Sequence, residues 1–390
     1  MNIKFLLAKL KARALRRCRL VVQRMGIARQ PEICENILLW SPALGCTTKK
    51  IHDPFLFDFP LPDCISKNAF LSETFQYVNG LGFHSQHLVT MTNATVKGHR
   101  AMITVGKNNS YLAENHCRVS NVYSNPIYRG EWPLVKQRKL EGDWYCLMSP
   151  SGSQYFQWIW GELPRLFSVL PHLPKGTKFI VDSKMVGFQK ESLKLLGISP
   201  EQCIPQDAFQ ESEVERLLFS TPLGHNEHTT CPSDVAQNLG EAFVDAAGGY
   251  TSDNNRRIYI SRANAKRRIL TNEEELITLI KKHGFEIVEP HRLSYTEQVR
   301  LFSGCSCILG VHGAGLTNIL FAPKGCKVLE IHNPQVTRKS YWVMSCILEH
   351  DYDCFVGKGV VESLEAGEPD LELDMPAFEK WFEQALDKVE

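Results

Sequence analysis

Ile308-Leu309-Gly310-Val311-His312-Gly313-Ala314-Gly315-Leu316-Thr317-Asn318 is the stretch that decides the fold of this chain of 390 residues. An apolar strand runs into three small residues, and a helical pattern follows. In a parallel sheet such a turn points unpaired backbone N–H groups and the positive end of a helix dipole into the crevice at the strand's carboxyl end. A phosphate group fits there. A tight strand-to-helix turn that needs glycine for backbone reasons alone accounts for the same residues.

Outward from this turn the alternation is regular. Strands are expected over 257–261, 285–288, 307–311, 327–331 and 354–356. Helices are expected over 272–283, 295–302, 316–321 and 341–349. Thr271 or Asn272 caps the first helix, acids fill its opening turn and Gly284 ends it; Ser294 introduces the second. Strands alternating with helices of this length imply right-handed crossovers and a parallel, Rossmann-like sheet. A closing helix over 377–389 is expected to pack back across the other lobe.

The first half is less regular. Short strands are expected over 87–90, 101–105, 122–128 and 144–148, followed by a long aromatic-rich helix over 155–170 ending before Pro171. A strand over 178–182, a helix over 189–196 stopped by Gly197 and a strand over 216–221 complete it. Residues 222–233, rich in Pro, Gly, Asn, His and Thr, form the linker region. The expected division is a basic amphipathic helix (1–30), an N-terminal α/β lobe (31–233), a C-terminal Rossmann-like lobe (234–375) and a closing helix (376–390).

Composition excludes several classes. With 43% hydrophobic and 22% charged residues, 26 Gly without a period and no sustained heptads, the chain is neither collagen, coiled coil nor long disorder. No stretch approaches the ~20 apolar residues of a membrane-spanning helix. The 13 cysteines are scattered, odd in number and follow no secretory signal, so they read as reduced thiols. The sequons at Asn93 and Asn108 then carry no meaning.

Net charge is +1, but residues 1–30 carry nine bases and no acid. Ile3, Leu6, Leu7, Leu10, Ala14, Cys18, Val21 and Met25 recur there at helical spacing. A helix on an anionic membrane surface and a helix docked on the protein's own body both fit this pattern. Nucleic acid is disfavoured, because the bases are not interleaved with aromatics and the rest of the chain is mildly acidic.

A second basic cluster surrounds the end of the domain's first strand: Arg256, Arg257, Arg262, Lys266, Arg267 and Arg268. Neighbouring carboxyl ends meet at one sheet edge, so some of these bases can join the Gly-rich turn in clamping a diphosphate. Glu330 ends the next strand, a place for a carboxylate that accepts hydrogen bonds from a ribose. A nicotinamide-dependent oxidoreductase would use the same features, but Gly310-x-x-Gly313-x-Gly315 lacks the dinucleotide spacing. Zinc on Cys305, Cys307 and His312 lacks a second paired-Cys knuckle. No Gly-x-Ser-x-Gly elbow or Walker loop is present.

Residues 257–334 resemble glycosyltransferase family 61. The resemblance is carried by Ile258-Tyr-Ile-Ser-Arg262, Arg267-Arg268-Ile269, Asn272-Glu273, His312-Gly-Ala-Gly-Leu-Thr-Asn-Ile-Leu-Phe321 and Val328-Leu-Glu-Ile331. A fainter likeness covers Tyr155-Phe-Gln-Trp158 and Glu162-Leu-Pro-Arg-Leu166. There Gln157 replaces the family's His, and Gly161 stands where it has an acid. A transferase-like binding module without turnover therefore stays open.

The resemblance implies an α/β protein with two Rossmann-like lobes facing across a cleft, the GT-B type. It also implies inverting, metal-independent transfer from a nucleotide-sugar donor, with UDP the expected nucleotide, and no cofactor. Arg262, Arg267, Arg268, His312, Gly313, Ala314, Gly315, Thr317, Asn318 and Glu330 would bind the donor, and Tyr155 and Trp158 the acceptor. Two residues are candidates for the catalytic base: Glu162, four residues after Trp158 and so on one helix face with it, and His312, beside the phosphate turn. With the basic N-terminus, a bacterial enzyme of capsule or exopolysaccharide assembly is expected, cytoplasmic and peripheral on the inner membrane face, with a glycan or lipid-linked glycan acceptor.

Overall fold

The computed structural model describes residues 33–34, 36–56, 82–83, 85–99, 101–106, 110–112, 136–149, 152–223, 231–250, 255–335, 337–360 and 369–387, with residues 59, 61, 65, 72 and 75. The expected helix over 1–30, the strand over 122–128, Asn108 and residues 224–230 of the linker lie outside them. The chain divides into two compact units. One takes residues up to 55, 83–190 and 197–229; the other takes 56–82, 191–196 and 230 onward.

The first unit is built on one sheet of β1 (Ile33–Cys34), β2 (Thr47–His52), β3 (Gln86–Lys97), β4 (Met102–Val105), β5 (Ser110–Leu112), β6 (Lys136–Cys146), β7 (Lys178–Asp182), β8 (Cys203–Gln206) and β9 (Gln210–Ser220). The order is β1-β5-β4-β3-β9-β6-β7-β8, with β2 also paired to β3. Strands β6 to β9 are parallel to their neighbours within that group, but β9 runs antiparallel along β3. This corrects the expected first Rossmann-like lobe: the sheet is mixed. Its core gathers Val89, Met91, Leu140, Trp144, Ile180, Leu217 and Phe219. The aromatic-rich helix forms as expected, with a π-helical turn over Gln157–Glu162 before α1 (Leu163–Val169). Such turns recur at functional positions.

The second unit holds five parallel strands: β10 (Arg256–Ile260), β11 (Phe285–Val288), β12 (Cys305–Val311), β13 (Lys327–His332) and β14 (Asp351–Val356), ordered β11-β10-β12-β13-β14. Helices α2 (Ser233–Ala246), α3 (Glu273–Lys281), α4 (Tyr295–Phe302), α5 (Ser340–Ile347) and α6 (Met375–Asp387) surround it. Ser294 caps α4 as the sequence requires: its Oγ accepts from the Glu297 amide, and Glu297 accepts from the Ser294 amide. The chain steps outward from β10 to β11, then crosses back to β12. The order therefore reverses between β10 and β12, where open α/β sheets bind their ligands.

Period-two alternation splits the strand residues between two faces. Tyr259, Leu309, Val311, Leu329 and Ile331 pack with Leu276, Phe378, Phe382 and Ala385 of α3 and α6. Helix α6 thus closes its own unit's core. Phe59 and Phe75 pack on Trp342 of α5, with ring centroids 5.7 and 5.0 Å away. Early residues therefore complete the C-terminal unit, a long-range exchange that contiguous segmentation does not give. Among the described residues no helix is long and apolar enough to cross a membrane.

Burial in this unit has a pH consequence. His350 donates from Nε2–H to the Ile319 carbonyl at 2.9 Å, and burial lowers its pKa from 6.5 to about 4. The unfolded chain binds this proton more readily, so stability is full above pH ~6.5 and falls as pH drops toward 4. Chemical denaturation is expected to show a loss of about 2 kcal/mol between pH 7 and 4.5 that is absent in His350→Gln. Equal pH slopes for both chains would refute it.

Candidate functional site

The alternation that buries Leu309, Val311, Leu329 and Ile331 on one face puts His312, Glu330, His332 and Tyr352 together on the other, near the carboxyl edge of the sheet. His312 Nδ1 lies 2.5 Å from Glu330 Oε1. The Tyr352 hydroxyl donates to Glu330 Oε2 at 2.7 Å, and His332 Nε2 lies 3.0 Å from that hydroxyl. Tyr341 of α5 packs its ring 5.1 Å from His312, and His332 stacks 6.0 Å away. Glu330 is 0% exposed with both oxygens engaged, which corrects its expected role as a ribose acceptor. Burial pushes its carboxyl up, while His332, the Tyr352 hydroxyl and Arg268 pull it back.

On the other side of β12 stands the arginine clamp. The Arg262 guanidinium donates from Nη2 to the Arg267 carbonyl at 2.8 Å and from Nε to the Arg268 carbonyl at 3.3 Å. Its backbone N–H is held by Glu273, which also accepts from the Tyr259 hydroxyl. Arg262 lies directly against Gly313, where any Cβ would collide with Nη1. Gly315 has the same constraint from Ile260, whose Cγ2 would sit 2.9 Å from a Cβ. A side chain at 313 would have to displace the Arg262 guanidinium, and one at 315 would press on Ile260.

Arg268 has φ +56° and donates from Nη1 to the His312 carbonyl at 2.8 Å, tying the basic loop to the turn. After the turn a 3₁₀ helix, rather than an α-helix, runs over Ala314–Phe321. Its first N–H groups lack intrahelical acceptors, so they and the guanidiniums make one electropositive pocket edge at the switch point. Asn318 is spent inside the fold, donating to Gln298 Oε1 and to the Gly315 carbonyl; Thr317 is equally buried. Both are buried beneath the turn they were expected to serve. Arg267 contributes its backbone carbonyl, and its side chain is exposed.

Among the described residues one group of metal-ligand types converges, His312, Glu330 and His332, with ligand atoms within 4.8 Å of one another. The 2.5 Å approach of Nδ1 to Oε1 is a hydrogen bond. Two ligands of one tetrahedral ion would stand ~3.3 Å apart. Cys305 and Cys307 start the strand that His312 follows, about 23 and 17 Å away at about 3.3 Å per residue. Burial pushes both thiols up to about 12, so they stay protonated.

The Glycosyltransferase 61 family model matches residues 55–329. The chain belongs to this glycosyltransferase family. An enzyme of glycosyl transfer thus replaces the nicotinamide alternative. Similar curated proteins include the EGF domain-specific O-linked N-acetylglucosamine transferase of Drosophila melanogaster, 35% identical over 78 residues, 19% of this chain and 15% of that one. The alpha-1,3-arabinosyltransferase XAT3 of Oryza sativa subsp. japonica is 33% identical over 99 residues, 25% of this chain and 17% of its own. The Pan troglodytes N-acetylglucosamine transferase is 30% identical over 123 residues, 30% and 23%. The matches therefore span less than a quarter of these relatives' lengths. They are animal and plant members rather than specifically the bacterial branch.

On the glycosyltransferase's first unit, the acceptor-side residues are placed otherwise than the sequence suggests. Trp158 is 2% exposed and packs into the core, so it presents no platform to a sugar. Tyr155 is partly buried, edge-on to Phe188 at 5.0 Å. Glu162 is 7% exposed and ion-paired with Arg165 at 3.4 Å, one helical turn on. Arg165 in turn lies over the Phe219 ring. Sequence reading missed Tyr341, Tyr352 and His332. Their one local signal is Glu330-x-His332, two polar residues at alternate positions of an otherwise apolar strand.

Proposed function

We propose that this chain is an inverting, GT-B-type glycosyltransferase that moves a sugar from a nucleotide diphosphate donor, UDP-linked by preference, to a glycan hydroxyl without a metal ion. The observation that carries this reading is the Arg262 guanidinium held against Gly313 at the sheet's switch point, with Arg268 tied to the His312 carbonyl. A departing diphosphate needs its charge met. Fixed guanidiniums and helix-end amides do this without reorganising. Besides the two bonds it gives to loop carbonyls, Arg262 sets its Nη1 against Gly313 of the turn.

His312 is the better base of the two candidates, because Glu162 is engaged by Arg165. The named activities of the relatives, transfer of N-acetylglucosamine and of arabinose, support a sugar donor. We assign the acceptor to a growing cell-surface polysaccharide, met at the inner membrane face through residues 1–30.

The test is thermal unfolding of the full chain against a panel of nucleotide sugars. A true donor at 100 times its Kd adds about 2.7 kcal/mol of stability. No shift with any nucleotide sugar or free nucleoside diphosphate would end this reading.

A further inference from the structure

Burial leaves one nitrogen of the His312 cluster unmatched: His332 Nδ1, fully enclosed and without a hydrogen-bond partner among the described residues. That nitrogen fixes the direction of the hydrogen bonds from His332 through Tyr352 to Glu330, and with Glu330 as the carboxylate the last step to His312 follows. A proton on it would be a buried orphan, and burial disfavours the charged ring, so His332 is neutral with its proton on Nε2. His332 Nε2–H therefore donates to the Tyr352 oxygen, Tyr352 O–H to Glu330 Oε2, and Glu330 Oε1 accepts from His312 Nδ1–H.

We propose that Glu330, Tyr352 and His332 are positioning residues that hold His312 as its Nδ1–H tautomer and so make Nε2 the atom that takes the acceptor's proton. This deepens the proposed function and rests on it. As the acceptor oxygen bonds to the anomeric carbon, the bond from that carbon to the diphosphate oxygen breaks, and its electron pair leaves with the phosphate. The hydroxyl proton passes to His312 Nε2. The resulting imidazolium is balanced by the Glu330 carboxylate, as the acid of a catalytic triad balances its histidine, and returns the proton to solvent.

Among the described residues, the neighbours of His312 are these. Tyr341 of α5 lies against its ring, and Arg268 bonds its carbonyl from the loop after β10. Arg262 packs at Gly313. Glu330 is the acid among these neighbours.

Glu330→Gln gives a sharp outcome because Tyr352 decides how the new amide turns. The hydroxyl donates, so it takes the amide oxygen, and the amide NH₂ then faces His312 Nδ1. His312 must switch to the Nε2–H tautomer, which cannot accept a proton there.

The experiment is ¹⁵N-histidine NMR of the full chain with steady-state kinetics on the same samples. The wild type is expected to show His312 protonated at Nδ1, and Glu330→Gln at Nε2, with kcat down at least 100-fold and donor affinity within about threefold. The tautomers test the relay even if no donor is turned over. A wild-type Nε2–H tautomer, or an unswitched His312 in folded Glu330→Gln, overturns it. A switched His312 with kcat within threefold overturns the catalytic role. If Glu330→Gln does not fold, His332→Phe is expected to lower kcat about 10-fold at unchanged donor KM. His332→Gln, which restores an N–H to Tyr352, should recover most of that loss. Equal activity of the two His332 variants overturns the relay.

Discussion

Arg262→Ala is expected to weaken binding of the nucleotide diphosphate by about 2–4 kcal/mol, a loss of roughly 30- to 1,000-fold, in a chain that remains folded. The guanidinium meets two parties: the Arg267 and Arg268 carbonyls fix its plane, and its Nη1 lies against Gly313 of the turn. Arg262→Lys should recover little of the loss, because an ammonium cannot reproduce a planar fork. Gly313→Ala should mimic much of it, since its Cβ would occupy the position of Nη1. The two changes act on one contact, so the double variant should be no weaker than the worse single one. Isothermal titration with UDP and with the donor found in the panel measures this. Unchanged affinity in folded Arg262→Ala would remove the clamp, and simple additivity would separate the glycine from it.

His312→Asn is expected to lower kcat by about 10²–10⁴-fold with donor affinity nearly unchanged. An asparagine amide can still donate to Glu330 from near the Nδ1 position, so the substitution deletes Nε2 while leaving the buried carboxylate partnered. Glu162→Gln should behave in the opposite way. Its turnover should stay within about tenfold of wild type, while stability falls by roughly 3–5 kcal/mol because Arg165 is left buried without its counter-charge. Single-turnover rates and denaturation curves for the pair settle the choice. A Glu162→Gln enzyme with normal stability and a hundredfold lower rate would transfer the role of base to Glu162.

Much of the second unit was legible in the sequence because its signals are local. The apolar runs at Cys305–Val311 and Lys327–His332, the Ser294 capping box and the turn at Gly313 each depend on residues within a few positions of one another. Their regular alternation then leaves few topologies open. The basic loop and the Gly-rich turn could be joined in advance for the same reason: parallel strands bring their carboxyl ends to one edge.

What tertiary structure alone decided is whatever depends on register, burial or distant chain. The first unit's mixed sheet rests on β3 lying antiparallel along β9, a pairing across more than a hundred residues that no local pattern specifies. Trp158 and Glu162 read as site residues because helical spacing puts them on one face, and spacing does not say whether that face meets solvent or core. Glu330 shows the same limit. In sequence it is an acid at a strand end. In the fold, the register of three strands and the period-two side-chain alternation bring His312, His332 and Tyr352 around it and exclude water. The sequence by itself determined the second unit's alternating elements and the sheet edge where the basic loop meets the Gly-rich turn; three-dimensional pairing determined which polar groups there are buried among one another, because burial belongs to the whole fold and not to any one segment.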